Sequence, residues 1–211
     1  MNHIFDLCSP SHSKHNLLQE DCLAGSKKVS YRIREDWDFE GGTESAPIDI
    51  DLVLPAHRPK HMPERHRFNM FVSSETGPMR VKVCRHCLHR SFNLEVVGGV
   101  SDITIWVPSN FKGFISYSSP NKPTYSTGFA NHIFRNAFIN HTVPKDWMGD
   151  EITVSTSGTI TFRMWDVFAK TPEVPAREVW KKMFHKGGDH RLAPAKAAAW
   201  NWDFLLEDDD D

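Results

Sequence analysis

The sequence predicts a mainly β fold, in which antiparallel strands form a stacked, sandwich or solenoid-like sheet arrangement with one C-terminal amphipathic helix. Three stretches indicate strands, because an alternating apolar–polar run enters a glycine-containing turn and a second alternating run leaves it. They are residues 68–83, 92–107 and 151–165. A helix is indicated at residues 176–184 (AREVWKKMF), whose apolar side chains share one helical stripe before the stop signal Gly187-Gly188.

The first two of these stretches begin alike. Phe68-Asn69-Met70 and Phe92-Asn93-Leu94 lie 24 residues apart. That spacing fits repeated two-strand units stacked into one sheet system. An antiparallel meander produces a similar pattern, so the repeat is one of two open interpretations.

The N-terminal part of the chain predicts a polar start followed by the first strands. Residues 1–28 are rich in His and Ser, and we expect them to be poorly ordered. Residues 48–54 (IDIDLVL) predict a strand with one exposed face, and residues 55–67, with three prolines, predict a loop. We therefore assign residues 1–43 to a variable, largely flexible segment and residues 44–170 to the β domain.

The elements after the second stretch are shorter. Residues 114–117 predict a strand, and residues 146–150 (DWMGD) predict a turn anchored by Trp147. Apolar residues recur at near-helical spacing in 128–139, but two asparagines interrupt the run, so we favour strand or irregular structure there. Residues 171–211 are assigned to the helix, a linker and an aromatic-acidic tail.

Charge and composition limit the classes of partner. The formal net charge of −2 predicts no bulk attraction to nucleic acid, although residues 57–67 are basic and residues 207–211 are acidic. No apolar run approaches the roughly 20 residues of a membrane span, so we expect no membrane partner and a cytoplasmic location. The four cysteines are then expected to be reduced thiols.

The stretch CRHCLHR is the strongest candidate for a metal site. It places Cys84, His86, Cys87 and His89 close together, and zinc favours sulfur and nitrogen ligands. No second cysteine pair follows, however. If residues 81–88 are extended, the two thiols point to opposite faces and cannot share a metal. We therefore prefer a strand end and predict no metal, no cofactor and no catalytic residues, since phosphate-loop and nucleophile motifs are also absent.

The C-terminal WNWDFLLEDDDD is the most apolar tail segment and the candidate interaction site. Its candidate residues are Trp200, Trp202, Phe204, Leu205 and Leu206. Such a patch is costly to expose. It either docks on the chain's own sheet, which we favour, or forms an acidic-aromatic ligand for a partner.

Several segments resemble a known family. They are FNLEVVGGVSDITIWVPSNFKGFISYSS, GFANHIFRNAFIN, DWMGDEITVSTSGTITFRMWDV and the terminal WDFLLEDDD. The resemblance, over about residues 46–206, is to an uncharacterised β-rich domain of mushroom-forming (basidiomycete) fungi, and more weakly to adhesin-like β repeats. It implies a β-rich intracellular module and supplies no catalytic residues.

These observations favour a non-enzymatic binding or scaffold module that acts through protein–protein contacts with an unidentified protein. A carbohydrate-binding, lectin-like β domain is the first alternative, because exposed aromatic rings can stack on sugars. A small zinc-binding or enzymatic protein that uses residues 84–89 is the second. Nothing in the sequence indicates an oligomeric state.

Overall fold

The computed structural model describes residues 22–58, 61–86 and 90–174. One α-helix, α1 (Thr127–His132), lies in these ranges, and a 3₁₀ turn follows it at Phe134–Asn136. The strands are β1 (Leu23–Lys28), β2 (Phe39–Thr43), β3 (Ile48–Val53), β4 (Phe68–Ser74), β5 (Met79–Cys84), β6 (Phe92–Gly98), β7 (Ile103–Pro108), β8 (Gly113–Ser118), β9 (Thr124–Tyr125), β10 (Ala137–Ile139), β11 (Asp150–Ser155), β12 (Ile160–Asp166) and β13 (Thr171–Pro172).

The strands form two sheets that share one buried core. Sheet A has the order β1-β3-β5-β7-β12, and both β9 and β13 pair with β12. Sheet B has the order β10-β8-β11-β6-β4-β2. Inward side chains alternate with outward ones along the central strands, and one core cluster takes side chains from both sheets.

The predicted antiparallel arrangement is wrong. Every strand pair is parallel except β12 with the two-residue β13. The glycine-containing turns do not fold back as hairpins. Each one carries the chain from sheet B across to sheet A, as between β4 and β5. The two-residue alternation of burial is common to parallel and antiparallel sheets, so it did not distinguish them.

The helix prediction also needs correction. The one α-helix of the described residues is α1, which lies in the stretch where we favoured strand or irregular structure. The hydroxyl of Ser126 accepts a hydrogen bond from Phe129 N and caps the helix, and Phe129 and Ile133 are fully buried. The predicted C-terminal helix at residues 176–184 lies outside the described residues.

The register confirms the stacking of two-strand units. Phe68 pairs with Phe92 in sheet B, and Met79 pairs with Ile103 in sheet A, both at the 24-residue spacing. Each unit places one strand in sheet B and the next in sheet A. The stacked units β2–β3, β4–β5 and β6–β7 therefore form successive coils of a parallel β-solenoid.

The fourth unit in space is not the fourth along the chain. β8 and β9 follow β7 in sequence, yet β11 lies between β6 and β8, and β12 lies between β7 and β9. In sheet B, Ile152 of β11 pairs with Leu94 on one side and with Ile115 on the other. The chain thus inserts its last large unit, β11–β12, between two units that it has already laid down.

The stacked corners between the sheets are held by small polar side chains. The hydroxyl of Thr156 donates to the carbonyl of Ser101 (2.7 Å), and the hydroxyl of Ser101 donates to the carbonyl of Ser74 (3.2 Å). All three residues are buried, so these bonds satisfy polar groups that water cannot reach. A Cβ at Gly158 would collide with the carbonyl oxygen of Ser101, which explains the glycine in this corner.

A buried ion pair ties the inserted unit to the corner after β5. Arg85 Nη2 lies 2.5 Å from Asp150 Oδ2, and both side chains are about 95% buried. Burial raises the pKa of the Asp150 carboxyl, although the positive charge of Arg85 and the backbone N–H groups of Lys112 and Phe92 oppose this shift. The desolvation of the pair offsets much of its attraction, so we assign it to specifying the position of β11.

Removal of one partner of this pair is expected to be costly. Asp150→Ala leaves the Arg85 guanidinium buried and unpaired, so the free energy of unfolding should fall by about 3–5 kcal/mol in urea denaturation. The double variant Arg85→Met/Asp150→Leu should recover part of that loss, because it removes the unpaired charge but still deprives the backbone N–H groups of Lys112 and Phe92 of their acceptor. Glu151→Gln is the matched control, because Glu151 pairs with Arg67 at a partly exposed site and should cost about 1 kcal/mol or less. Equal losses in Asp150→Ala and Glu151→Gln would contradict this role.

Candidate binding groove

The end of sheet B carries an aromatic groove. β10 pairs with β8 in parallel, which aligns Phe138 with Phe114 on the outer face of the sheet. β11 runs along the other side of β8, so close that a Cβ at Gly113 would collide with the carbonyl oxygen of Asp150. Glycine at this position therefore allows β11 to enter the sheet beside the groove.

Four rings pack against one another along this groove. Phe114 stacks on Phe138 with ring centroids 5.1 Å apart, and it meets the edge of Trp147 at 5.0 Å. His141 approaches Phe138 edge-on at 6.1 Å. The indole N–H of Trp147 donates to the carbonyl of Asp150 (3.1 Å), which fixes the ring and confirms the predicted anchoring role of Trp147.

The groove is cationic as well as aromatic, with a volume of about 610 Å³. Its lining residues are Lys112, Gly113, Phe134, Arg135, Asn136, Ala137, Phe138, His141 and Trp147. None of them is a carboxylate. In the described ranges no ion pair neutralises Lys112 or Arg135, and Phe134 is 47% exposed. The surface can therefore take an apolar ring and a negative charge together.

The structure describes only the first and last residues of the stretch CRHCLHR, 84–86 and 90. Cys84 is buried on the outer face of sheet A, in a cluster with Trp106, Trp165 and Val167, whereas His86 is exposed. Cys87 and His89 lie outside the described residues. No group of three His, Cys, Asp or Glu side chains in the described ranges is arranged to hold a metal ion. Burial, reinforced by the negative charge of Asp51, raises the pKa of the Cys84 thiol to about 12.

Other polar constellations support the fold. Lys82 Nζ donates to Asp49 (2.8 Å) and Asp51 (2.9 Å), and together with Arg80, which lies 3.7 Å from Asp49, it balances the carboxylates that alternate along β3. Burial lowers the pKa of Lys82 and the two carboxylates raise it, with a net upward direction. His66 lies 2.7 Å from the buried carboxylate of Asp38, which also accepts two backbone N–H groups. The first cluster ties β5 to β3, and the second holds the backbone at Arg32 and Asn69.

The predicted interaction residues and the groove are different parts of the chain. Trp200, Trp202, Phe204, Leu205 and Leu206 all lie outside the described residues, and their role stays a prediction. The groove was not predicted. The stretch FRNAFINH does combine aromatic and basic residues, but its meeting with Lys112 and Trp147 depends on the pairing of β10 with β8, which no local pattern indicates.

The buried thiol of Cys84 should react very slowly. In a variant that keeps Cys84 and replaces Cys8, Cys22 and Cys87 by Ser, alkylation by iodoacetamide at pH 8 should be on the order of a thousandfold slower in the folded protein than in urea. The reason is that only the thiolate reacts, and the pKa of an unfolded thiol is near 8.5. Because the folded pKa is the higher one, the thiol's contribution to stability is present below about pH 8.5 and is lost as the pH rises towards 12.

A variant that keeps the exposed Cys22 instead of Cys84 is the control, and its rate should change less than tenfold between the folded and unfolded states. Comparable folded-state rates for the two thiols would contradict the burial of Cys84.

No helix in the described ranges has the length and apolar character needed to cross a membrane.

The comparisons with known proteins give one family. Neither the curated proteins nor the solved structures contain a match to the chain. The fungal origin and the similarity to adhesin-like repeats stay predictions. A family model matches residues 26–167, which run from β1 to the residue after β12 and therefore include every stacked unit. The chain belongs to the family described as a domain of unknown function, DUF7330.

Proposed function

We propose that the protein is a non-enzymatic binding module that acts through protein–protein contacts at the groove between β8, β10 and Trp147. The partner is a peptide segment with aromatic or aliphatic side chains next to acidic ones. One observation carries the proposal: partly exposed rings and two cations without ion-pair partners in the described residues line the same groove.

The chemistry of the lining supports a protein partner. Aromatic residues and arginine supply most of the binding energy in protein interfaces, and here Phe134, Trp147 and Arg135 line one groove. Lys112 and Arg135 favour an acidic segment and reject a basic one. β10 also lies at the end of sheet B, where an extended peptide can add to the backbone of an edge strand.

The polar clusters do not favour a catalytic role over binding. The carboxylates of Asp38, Asp49 and Asp51 already hold backbone N–H groups or Lys82, and the thiol of Cys84 is buried with a pKa of about 12. A reactive nucleophile needs a lowered pKa or an adjacent base. We also propose that the module acts inside the cell, which the free thiols of Cys22 and Cys84 support.

Selection from a random twelve-residue peptide display library tests the proposal. Peptides selected on the full chain should combine aromatic and acidic residues. The affinity of a selected peptide should fall at least tenfold, or about 1.4 kcal/mol, in Lys112→Glu/Arg135→Glu. Lys28→Glu/Lys122→Glu is the control, because it makes the same charge change at two exposed residues that do not line the groove, and it should bind normally. Equal binding by both variants, or no enrichment of such peptides, would overturn the proposal.

A sugar is the second candidate ligand. The partly exposed rings of Phe138 and Trp147 lie beside the amide of Asn136, and such a combination can stack on a sugar and bond to its hydroxyls. A glycan array probed with the full chain decides between the two. Hits that Lys112→Glu/Arg135→Glu retains and Asn136→Ala loses would favour the sugar, and an array without hits would end this candidate.

A further inference from the structure

We propose that the groove is occupied in the resting protein by residues 200–211 of the same chain, WNWDFLLEDDDD, so that a partner must displace this segment to bind. This regulation rests on the proposed function of the groove. The occupant is a segment outside the described residues, and its charge and aromatic content match those of the groove.

The segment complements the groove in charge and in apolar character. Its residues 207–211 carry five carboxylates in a row, and the groove carries Lys112 and Arg135 with no carboxylate in its lining. Three aromatic side chains precede the acidic run: Trp200, Trp202 and Phe204. The groove offers partly exposed rings to them. Aromatic pairs and charge pairs at one site favour this segment over a purely acidic or a purely apolar one.

The described chain ends close to the groove. Glu173, next to the last described residue, accepts a hydrogen bond from Gly128 N at the start of α1 (2.9 Å) and from Arg163 Nε (3.2 Å). Six residues after Gly128, the chain enters the 3₁₀ turn Phe134–Asn136, all of which lines the groove. The chain therefore leaves the described fold at the end of the solenoid where the groove lies.

The intervening length is sufficient for docking within one molecule. Residues 175–199 separate the two parts, and even with the predicted helix at 176–184 they can span roughly 65 Å. Tethering at such a length gives an effective concentration in the millimolar range for a flexible linker. A contact too weak to hold a free peptide is therefore strong enough to keep a tethered segment in place, and a tighter partner can still displace it.

Zero-length cross-linking of the full chain tests the proposal. A carbodiimide joins a lysine amine and a carboxylate only when they are in contact. We expect Lys112 to be coupled to residues 207–211 within the monomer. The yield should fall at least fivefold in Arg135→Glu, which keeps Lys112 but reverses the neighbouring charge. It should be unchanged in Lys28→Glu, the control. A circular dichroism melt of each variant excludes loss of folding as the cause.

Mixing of isotope-labelled and unlabelled chains separates the alternatives. Links that join a labelled to an unlabelled peptide would assign the groove to a second copy and overturn the proposal. Equal coupling of the acidic residues to Lys28, Lys122 and Lys112, insensitive to Arg135→Glu, would also overturn it, because that result reports only random encounters of a tethered acidic segment.

The regulation has a separate readout in the full chain. The variant Trp200→Ala/Trp202→Ala/Phe204→Ala should bind a display-selected peptide at least fivefold more tightly than the wild type, because the competing segment is weakened. Unchanged affinity, together with groove-dependent binding of the peptide, would defeat the inference and leave the binding function intact. Loss of groove dependence in every variant would defeat the proposed function itself.

Discussion

The insertion of β11–β12 between units that precede it in the chain is the constraint on which the rest of the fold depends. β11 supplies the neighbour of both β6 and β8, and β12 supplies the neighbour of β7 and β9. Without this unit, β8 and β10 would be separated from the rest of sheet B, and β9 and β13 would have no strand to pair with in sheet A. The domain therefore requires residue 166 for completion, and we expect contacts of such sequence separation to slow its folding. The family match ends one residue later, in agreement with this boundary.

The same insertion connects the fold to the groove. The ion pair Arg85–Asp150 fixes the start of β11, and the carbonyl of Asp150 accepts the indole N–H of Trp147. Trp147 packs edge-on against Phe114, and the ring of Phe114 stacks on Phe138. The aromatic surface is thus assembled by the unit that closes the sheets. A partner that binds the groove therefore contacts residues whose positions depend on the inserted unit.

The sequence predicts the strands well and their pairing poorly, for a physical reason. Alternation records which side chains face the core, and it is correct for β3 to β7, β11 and β12. The 24-residue spacing even predicts the register of β4 on β6. The direction and order of the strands depend on whether each turn folds the chain back on itself or carries it to the other sheet. The turns ETGP and GVSD look like hairpin signals, but they carry the chain to the other sheet. The groove could not be predicted from the sequence, because Lys112, Phe138 and Trp147 meet only through the pairing of strands in the folded protein.

Disulfide formation between outward positions on β6, β11 and β8 tests the inserted order most directly. Thr153 pairs with Glu95 on one side and with Ser116 on the other. Adjacent strands lie about 4.8 Å apart and alternate strands about 9.6 Å apart, beyond the roughly 7 Å limit for a disulfide. With Cys8, Cys22 and Cys87 replaced by Ser, Glu95→Cys/Thr153→Cys and Ser116→Cys/Thr153→Cys should each form a bond in a glutathione buffer. Glu95→Cys/Ser116→Cys should stay reduced. A bond in that last pair would place β8 beside β6 and contradict the inserted unit.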